Sequence, residues 1–318
     1  MVLFFALIRE TFAHNPHSST TSSVIPQRTN TVLLCGQYDI YNTSAGDLSF
    51  SSDVWNPDKS GGQCVTVNKN GTTFDATWAW KSDAGSVHSY PHVNFNSPTL
   101  PVQLSNISSI NIHSQWSMSP GASPSISNDV AGLSNLNTIA NVALDIFADA
   151  DPVKSQSEVQ AGYEIMIWIG SFGDPKPLGF STGAACWNQT LGDVIFKLYM
   201  GKNHRGNNVF SWISPLNITD FNEDISPLLQ ALWRNSLVPQ NAFLGLVEFG
   251  SEAFHSDKNV TFSISNFGMN LTSDTAPNLT VVTAPKSCTP SAATSVWDSL
   301  SFFWAIVGIV FTTMAFVV

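Results

Sequence analysis

The sequence predicts an all-β protein, a sandwich or jelly roll of short strands. A series of short runs alternates apolar with polar residues or is rich in β-branched and aromatic types. Clusters of Gly, Pro, Asn and Ser separate them. Only one stretch has the helical period, and there is no internal repeat. The predicted strands are Gln63–Lys69, Phe74–Lys81, Ser86–Phe95, Ser108–Met118, Ile139–Asp149, Gln160–Gly170, Asp193–Met200, Asn208–Ser214, Phe243–Phe254 and Asn259–Leu271. The helix is Glu223–Arg234. Asn222 is placed to cap it, Glu223 and Asp224 fall in its first turn, and Ile225, Leu228, Leu229, Leu232 and Trp233 share one face. Many short strands with this punctuation suit two stacked sheets.

The flanks read differently. Residues 1–34 form a lead-in. Val2–Ile8 is apolar but short for a signal segment, Arg9-Glu10 interrupts it, and cleavage after Ala13 competes with a truncated start. His14–Asn30 is rich in Ser and Thr and has no period, the composition of a disordered or glycosylated segment. Ser119–Asn137 is a long polar connection. Residues 272–299 are a linker rich in Ser, Thr and Ala, and residues 300–318 are apolar without a charge. That tail is long enough to cross a bilayer. It also fits a glycosylphosphatidylinositol signal, with Ser287, Cys288 and Thr289 as the small site and Pro290–Ser299 as spacer, the reading preferred here.

Of 318 residues only 11% are charged, and the net charge is -10. Nucleic acid binding needs a basic footprint, which this chain lacks. A neutral substrate suits it better. Sequons at Asn42, Asn70, Asn106, Asn188, Asn217, Asn259, Asn270 and Asn278 point to the secretory route and to an extracellular or surface-anchored protein. Four cysteines allow three pairings.

The chemistry concentrates in Val159–Gly170, VQAGYEIMIWIG. As a strand it puts Ile165, Ile167 and Ile169 on one face, suited to the core, and Glu164, Met166 and Trp168 on the other. Val247–Phe254, VEFGSEAF, repeats the design with Glu248, Gly250, Glu252 and Phe254 on one face. Either glutamate alone reads as a solvated side chain. Two carboxylates on neighbouring strands beside aromatic surface are the parts that glycoside hydrolysis requires, one attacking or stabilising the anomeric carbon and one donating a proton.

The motifs CGQY (Cys35–Tyr38), DVW (Asp53–Trp55), GGQCVTV, ATWAW (Ala76–Trp80), SYPHV (Ser89–Val93), NVALDIF (Asn141–Phe147), YEIMIW, Gly179 and FGSEAF occur in order. Together they resemble glycoside hydrolase family 12, the small jelly-roll endoglucanases and xyloglucanases, over residues 35–271. The resemblance implies a concanavalin-like jelly roll of two antiparallel sheets, one helix behind them and a concave cleft. It implies Glu164 as nucleophile, Glu252 as acid/base and Asp145 as the neighbour that tunes the nucleophile. It implies Trp55 and Trp168 as sugar contacts and a Cys35–Cys64 disulfide; Tyr38, Trp80, Met166 and Phe254 are further candidate sugar contacts. Cys186 and Cys288 stay open between pairing and burial. Glu248, about 13 Å from Glu252 along the face, is expected as a rim or solvated side chain. Asp53 and Asn56 depart from the family pattern.

The activity so implied is a retaining endo-β-1,4-glucanase acting as a monomer on a β-glucan such as cellulose, mixed-linkage glucan or xyloglucan. Retention requires carboxyls about 5–5.5 Å apart. The alternative is a surface glucan-binding protein on the same fold without turnover. The histidines (His14, His17, His88, His92, His113, His204 and His255) show no metal-ligand spacing, there is no P-loop or G-x-S-x-G, and no cofactor is expected.

Overall fold

Two sheets stack face to face in the computed structural model, which describes residues 30–180 and 185–274. In chain order the strands are β1 (Thr31–Leu34), β2 (Ile40–Asn42), β3 (Leu48–Ser51), β4 (Gly62–Asn68), β5 (Thr73–Ala79), β6 (His92–Phe95), β7 (Val102–Gln103), β8 (Ile107–Pro120), β9 (Ile139–Asp149), β10 (Tyr163–Phe172), β11 (Trp187–Leu191), β12 (Val194–Lys202), β13 (Asn208–Ile213), β14 (Asp220–Asp224), β15 (Phe243–Gly250), β16 (Ala253–His255) and β17 (Val260–Ser273). The smaller sheet has the order β1-β4-β5-β17-β8-β14. The larger runs β11-β12-β13-β10-β9-β15-β6-β3-β2, with β16 on β9 and β7 on β15. Among the described residues every ladder is antiparallel except β10 with β13, which is parallel. The two-sheet expectation holds with that one exception.

The core lies between the sheets. Ile165, Ile167 and Ile169 of β10 enter it with Val142, Leu144 and Ile146 of β9 and Val247 and Phe249 of β15. From the smaller sheet Val65, Phe74, Ala76, Trp78, Ile112, Trp116, Phe262 and Ile264 meet them. The alternation read from the sequence is therefore the alternation of the sandwich. Gly170 lets the sheets approach at one point: a Cβ there would stand 2.5 Å from the Trp116 ring, and the β10–β9 register shifts between Trp168 and Gly170.

Several expectations are corrected. Thr31–Leu34, placed in the lead-in, is a strand paired with β4. The polar connection after β8 contains a helix, α1 (Val130–Asn135), because the Asp129 carboxylate accepts from Gly132 N at 2.9 Å and caps it. Ser86–Phe95 is strand only from His92. The predicted Phe243–Phe254 strand breaks at Ser251-Glu252 into β15 and β16. The second helix, α2, is Ser226–Arg234, shorter than predicted. Glu223 and Asp224 belong to β14 instead of its first turn. The Asp224 carboxylate accepts from Ile110 N at 2.9 Å and Ser226 N at 3.0 Å, tying β8 to the helix start, and Pro227 opens the helix where no amide hydrogen is needed. Leu228, Leu229, Leu232 and Trp233 are buried as the period predicts.

The lead-in before residue 30, Asn278, Cys288, the linker beyond residue 274 and the tail 300–318 lie outside the described residues. Among the described residues no helix is long and apolar enough to cross a membrane. The expected disulfide joins Cys35 and Cys64 across a sequence separation of 29. Closing a loop of that length stabilises by about 3–4 kcal/mol through the unfolded chain. Replacing both cysteines by serine is expected to lower the unfolding free energy by that amount, read from urea denaturation. A loss below about 1 kcal/mol would contradict it.

Candidate active site

Strands β10, β9 and β15 are adjacent in the middle of the larger sheet. Their second faces, turned away from the core, carry the site. On β10, Glu164 pairs with Phe147 and Met166 with Asp145 of β9. Glu164 and Asp145 are therefore diagonal neighbours on one face. On β15, Glu248 stands directly across β9 from Asp145 and Gly250 from Ala143. Met166 and Trp168 pack with Ala143 and Val209 into a small apolar cluster separate from the main core. This is the floor beside the carboxyls.

Glu252 is held differently. It lies just past β15, and its backbone N donates to Asn141 Oδ1 at 2.9 Å. Asn141 Nδ2 in turn donates to Glu252 Oε2, Asn141 N donates to Glu252 O at 3.2 Å, and Ser251 Oγ donates to Asn141 O at 2.6 Å. The fully buried Asn141 clamps both the backbone and the carboxyl of Glu252. Glu164 receives a hydrogen bond from Asn203 Nδ2 at 3.1 Å. Asn203 belongs to the β12–β13 turn, where its Oδ1 accepts from Arg205 N at 3.0 Å and Asn207 N at 3.1 Å. Neither asparagine was assigned a role from the sequence. Asn141 shares the face of Asp145 in NVALDIF, which was the available signal. Asn203 lies in a polar turn and gave none.

Burial sets the protonation of this group. It pushes Glu252 up to about 8, the charge of Glu164 adds to the rise, and the Asn141 hydrogen bond opposes it. Glu164 is also raised by burial, but Asn203 and Arg205 favour its charged form. Asp145 is raised well above the carboxylate range by burial and then by the charges of Glu164, Glu248, Glu252 and Glu158. Its Oδ1 is buried without a hydrogen-bond partner, and no hydrogen bond joins it to Glu164 among the described residues. The two interact through charge. A neutral Asp145, the form that burial favours, would have a proton to donate. Asp53, held at a φ of 36°, is pushed up to about 6, by burial first, with His92 opposing.

The remaining expectations divide. Met166, Trp168 and Phe254 are nearly covered, with Trp168 3% exposed and its Nε1 buried without a partner. Tyr38 and Trp55, at 60% and 44%, present open rings. Their segments are tied together by Val54 N to Gln37 O at 2.8 Å, and to the segment before β6 by Tyr90 N to Asp53 O at 2.9 Å. Trp80 is corrected: it is 1% exposed within the core, stacked on His88, with Nε1 donating to Ser89 Oγ at 3.2 Å, and it offers no face to a sugar. Glu248 is corrected as well. It is 2% exposed, not at a rim, with Oε1 3.6 Å from His92 Nε2. Of the sequon asparagines within the described residues, Asn42, Asn70, Asn188, Asn217, Asn259 and Asn270 are exposed and Asn106 is half-buried.

A two-sheet sandwich with interacting carboxyls on the outer face of its larger sheet has the parts that glycoside hydrolysis requires, and comparison with known proteins agrees. The family model described as "Glycosyl hydrolase family 12" matches residues 46–272. The chain belongs to glycosyl hydrolase family 12. It is 29% identical over 242 residues to a xyloglucan-specific endo-β-1,4-glucanase A of Emericella nidulans, covering 74% of this chain and 90% of that one. With the enzyme of that name from Aspergillus aculeatus it shares 30% over 241 residues, 74% and 90% of the two chains. Among solved structures, endoglucanase 3 of Trichoderma harzianum superposes with a TM-score of 0.64 at 24% identity, over 76% of this chain and 98% of that one. The family 12 xyloglucanase of Bacillus licheniformis gives 0.61 at 20%, over 76% and 100%. At these identities the two superpositions speak for the fold.

Proposed function

We propose that this protein hydrolyses internal β-1,4 bonds of a glucan chain by double displacement, with Glu164 as nucleophile and Glu252 as general acid and then base. The observation that carries the assignment is the difference in surroundings of two half-buried glutamates, both raised by burial. Glu252, raised to about 8, holds its proton near neutral pH and is fit to protonate the leaving oxygen. Glu164, beside Asn203 and Arg205, has the donors that favour a carboxylate. Glu164 attacks the anomeric carbon while Glu252 gives its proton to the departing glycosidic oxygen. Glu252, now ionised, takes a proton from water, which attacks the same carbon and frees Glu164. Asp145 touches neither bond. It is the diagonal neighbour of Glu164 on the same face, and the charge of Glu164 helps to raise its pKa.

Xyloglucan is the proposed preferred substrate, supported by the names of the fungal relatives. Tyr38 and Trp55 are the proposed sugar platforms because their rings are open. The exposed sequons and the Cys35–Cys64 bond support work outside the cell, and the apolar residues 300–318 support anchoring there by a lipid signal. The protein is proposed to act as a monomer. A glucan-binding protein without turnover is not favoured, since binding alone needs neither the Asn141 clamp on Glu252 nor the Asn203 contact to Glu164.

Reducing-sugar release from xyloglucan, barley glucan and carboxymethylcellulose tests the reading. Wild type is expected to cleave, fastest on xyloglucan, and Glu164→Gln to lose about 10³-fold or more in kcat with the fold intact. Binding without release from any of the three glucans would reject it. For Asn141→Ala, losing a donor to the charged form of Glu252 disfavours that form and raises its pKa. The basic limb of kcat/KM, which reports loss of the acid's proton, should move to higher pH, and kcat should fall by about 10²-fold as the carboxyl loses its aim. An unmoved basic limb would remove Asn141 as the positioning residue.

A further inference from the structure

His92, Glu158 and Glu248 take no part in the steps above, yet they converge. One ligand atom from each lies within 4.8 Å of the others. Register explains part of this. Gly250 of β15 stands opposite His92 of β6, which makes Glu248 a diagonal neighbour of His92 on the same face. Gly250 also keeps the backbone clear, since a Cβ there would come within 2.3 Å of Pro91 O and 2.8 Å of His92 Cβ. Glu158 reaches in from the segment between β9 and β10 and is itself exposed.

The hydrogen bonding of His92 decides which atom it presents. Its Nδ1 lies 2.8 Å from the carbonyl oxygen of Tyr90. A carbonyl only accepts, so Nδ1 carries the hydrogen, and in the neutral ring Nε2 is left with a lone pair. Nε2 has no hydrogen bond among the described residues and faces Glu248 Oε1 at 3.6 Å. His92 is 4% exposed, and the group its Nε2 faces is the Glu248 carboxyl. At that separation the two atoms are too far apart for a hydrogen bond. The spacing is close to that of two donors on one tetrahedral ion: bonds of about 2.0–2.2 Å place neighbouring donors roughly 3.3–3.6 Å apart. An imidazole whose other nitrogen is fixed by a backbone carbonyl is also how metal-binding histidines are held.

We propose that His92, Glu158 and Glu248 form a binding site for a divalent transition-metal cation of the zinc type. One imidazole and two carboxylates suit such an ion better than calcium, which takes six to eight oxygens. Glu248 stands across from Asp145, so the ion would bind on the face that holds Glu164 and Glu252. Its occupancy is expected to slow cleavage of a polymer that runs along that face.

Titration of zinc chloride into the full chain, followed by calorimetry, tests the site without reference to any glucan, so its outcome is separate from that of the glucanase reading. Wild type is expected to show a zinc site that Glu158→Gln weakens at least tenfold. Glu158 is exposed, so that variant keeps its fold. Glu248→Gln is expected to abolish the same heat at an unchanged melting temperature. His255→Gln, which removes the separate His255–Asp257 pair (3.3 Å), is expected to leave it in place. No zinc binding by wild type, unchanged affinity in Glu158→Gln, or calcium binding as tightly as zinc would each overturn the proposal.

Discussion

The structure depends on one constraint: each central strand of the larger sheet has one face owned by the core. Burying Ile165, Ile167 and Ile169 against the smaller sheet forces Glu164, Met166 and Trp168 to the other side, because a strand repeats every two residues. The same holds for Leu144 and Ile146 against Asp145, and for Val247 and Phe249 against Glu248. A slip of one residue in any of these strands would carry carboxyls into the core. Hydrophobic burial on one face thus assembles the acidic group on the other. Burial is in turn the largest cause of the raised pKa of each of these carboxyls.

What separates the glutamates is their neighbours. Glu164 has an amide donor and a guanidinium within electrostatic reach. Glu252 has an amide donor alone and faces the charge of Glu164, so it keeps its proton to about 8. Two carboxyls of the same type, placed on one face, are thereby given different proton affinities. Asp145, more deeply covered and among four other carboxyls, is raised well above the carboxylate range, by burial first.

Much of this was legible in the sequence. The period of Ile139–Asp149 and Tyr163–Phe172 reads directly as core face and site face, and the ordered motifs carry the fold and the family. What was not legible depends on contacts distant in sequence. Trp80 shares a strand face with Trp78, and nothing local says that both are core. The burial of Glu248 is hidden from the sequence because spacing along one strand does not show what β9 and β6 place beside it. His92, Glu158 and Glu248 are far apart in the chain, and no local spacing reveals their convergence. The break at Ser251-Glu252 is not legible locally because there the side chain of Asn141, more than a hundred residues away, takes the place of a ladder bond.

The central claim is that Glu252 is held protonated near neutrality by burial and by the charge of Glu164. Carbon-13 NMR of glutamate carboxyls, with Glu252 assigned by its loss in Glu252→Gln, measures this directly. The account predicts a titration near 8 in the wild type that falls in Glu164→Gln, where the charge is gone. A Glu252 carboxyl that titrates near the ordinary value for glutamate, unmoved by that substitution, would contradict it.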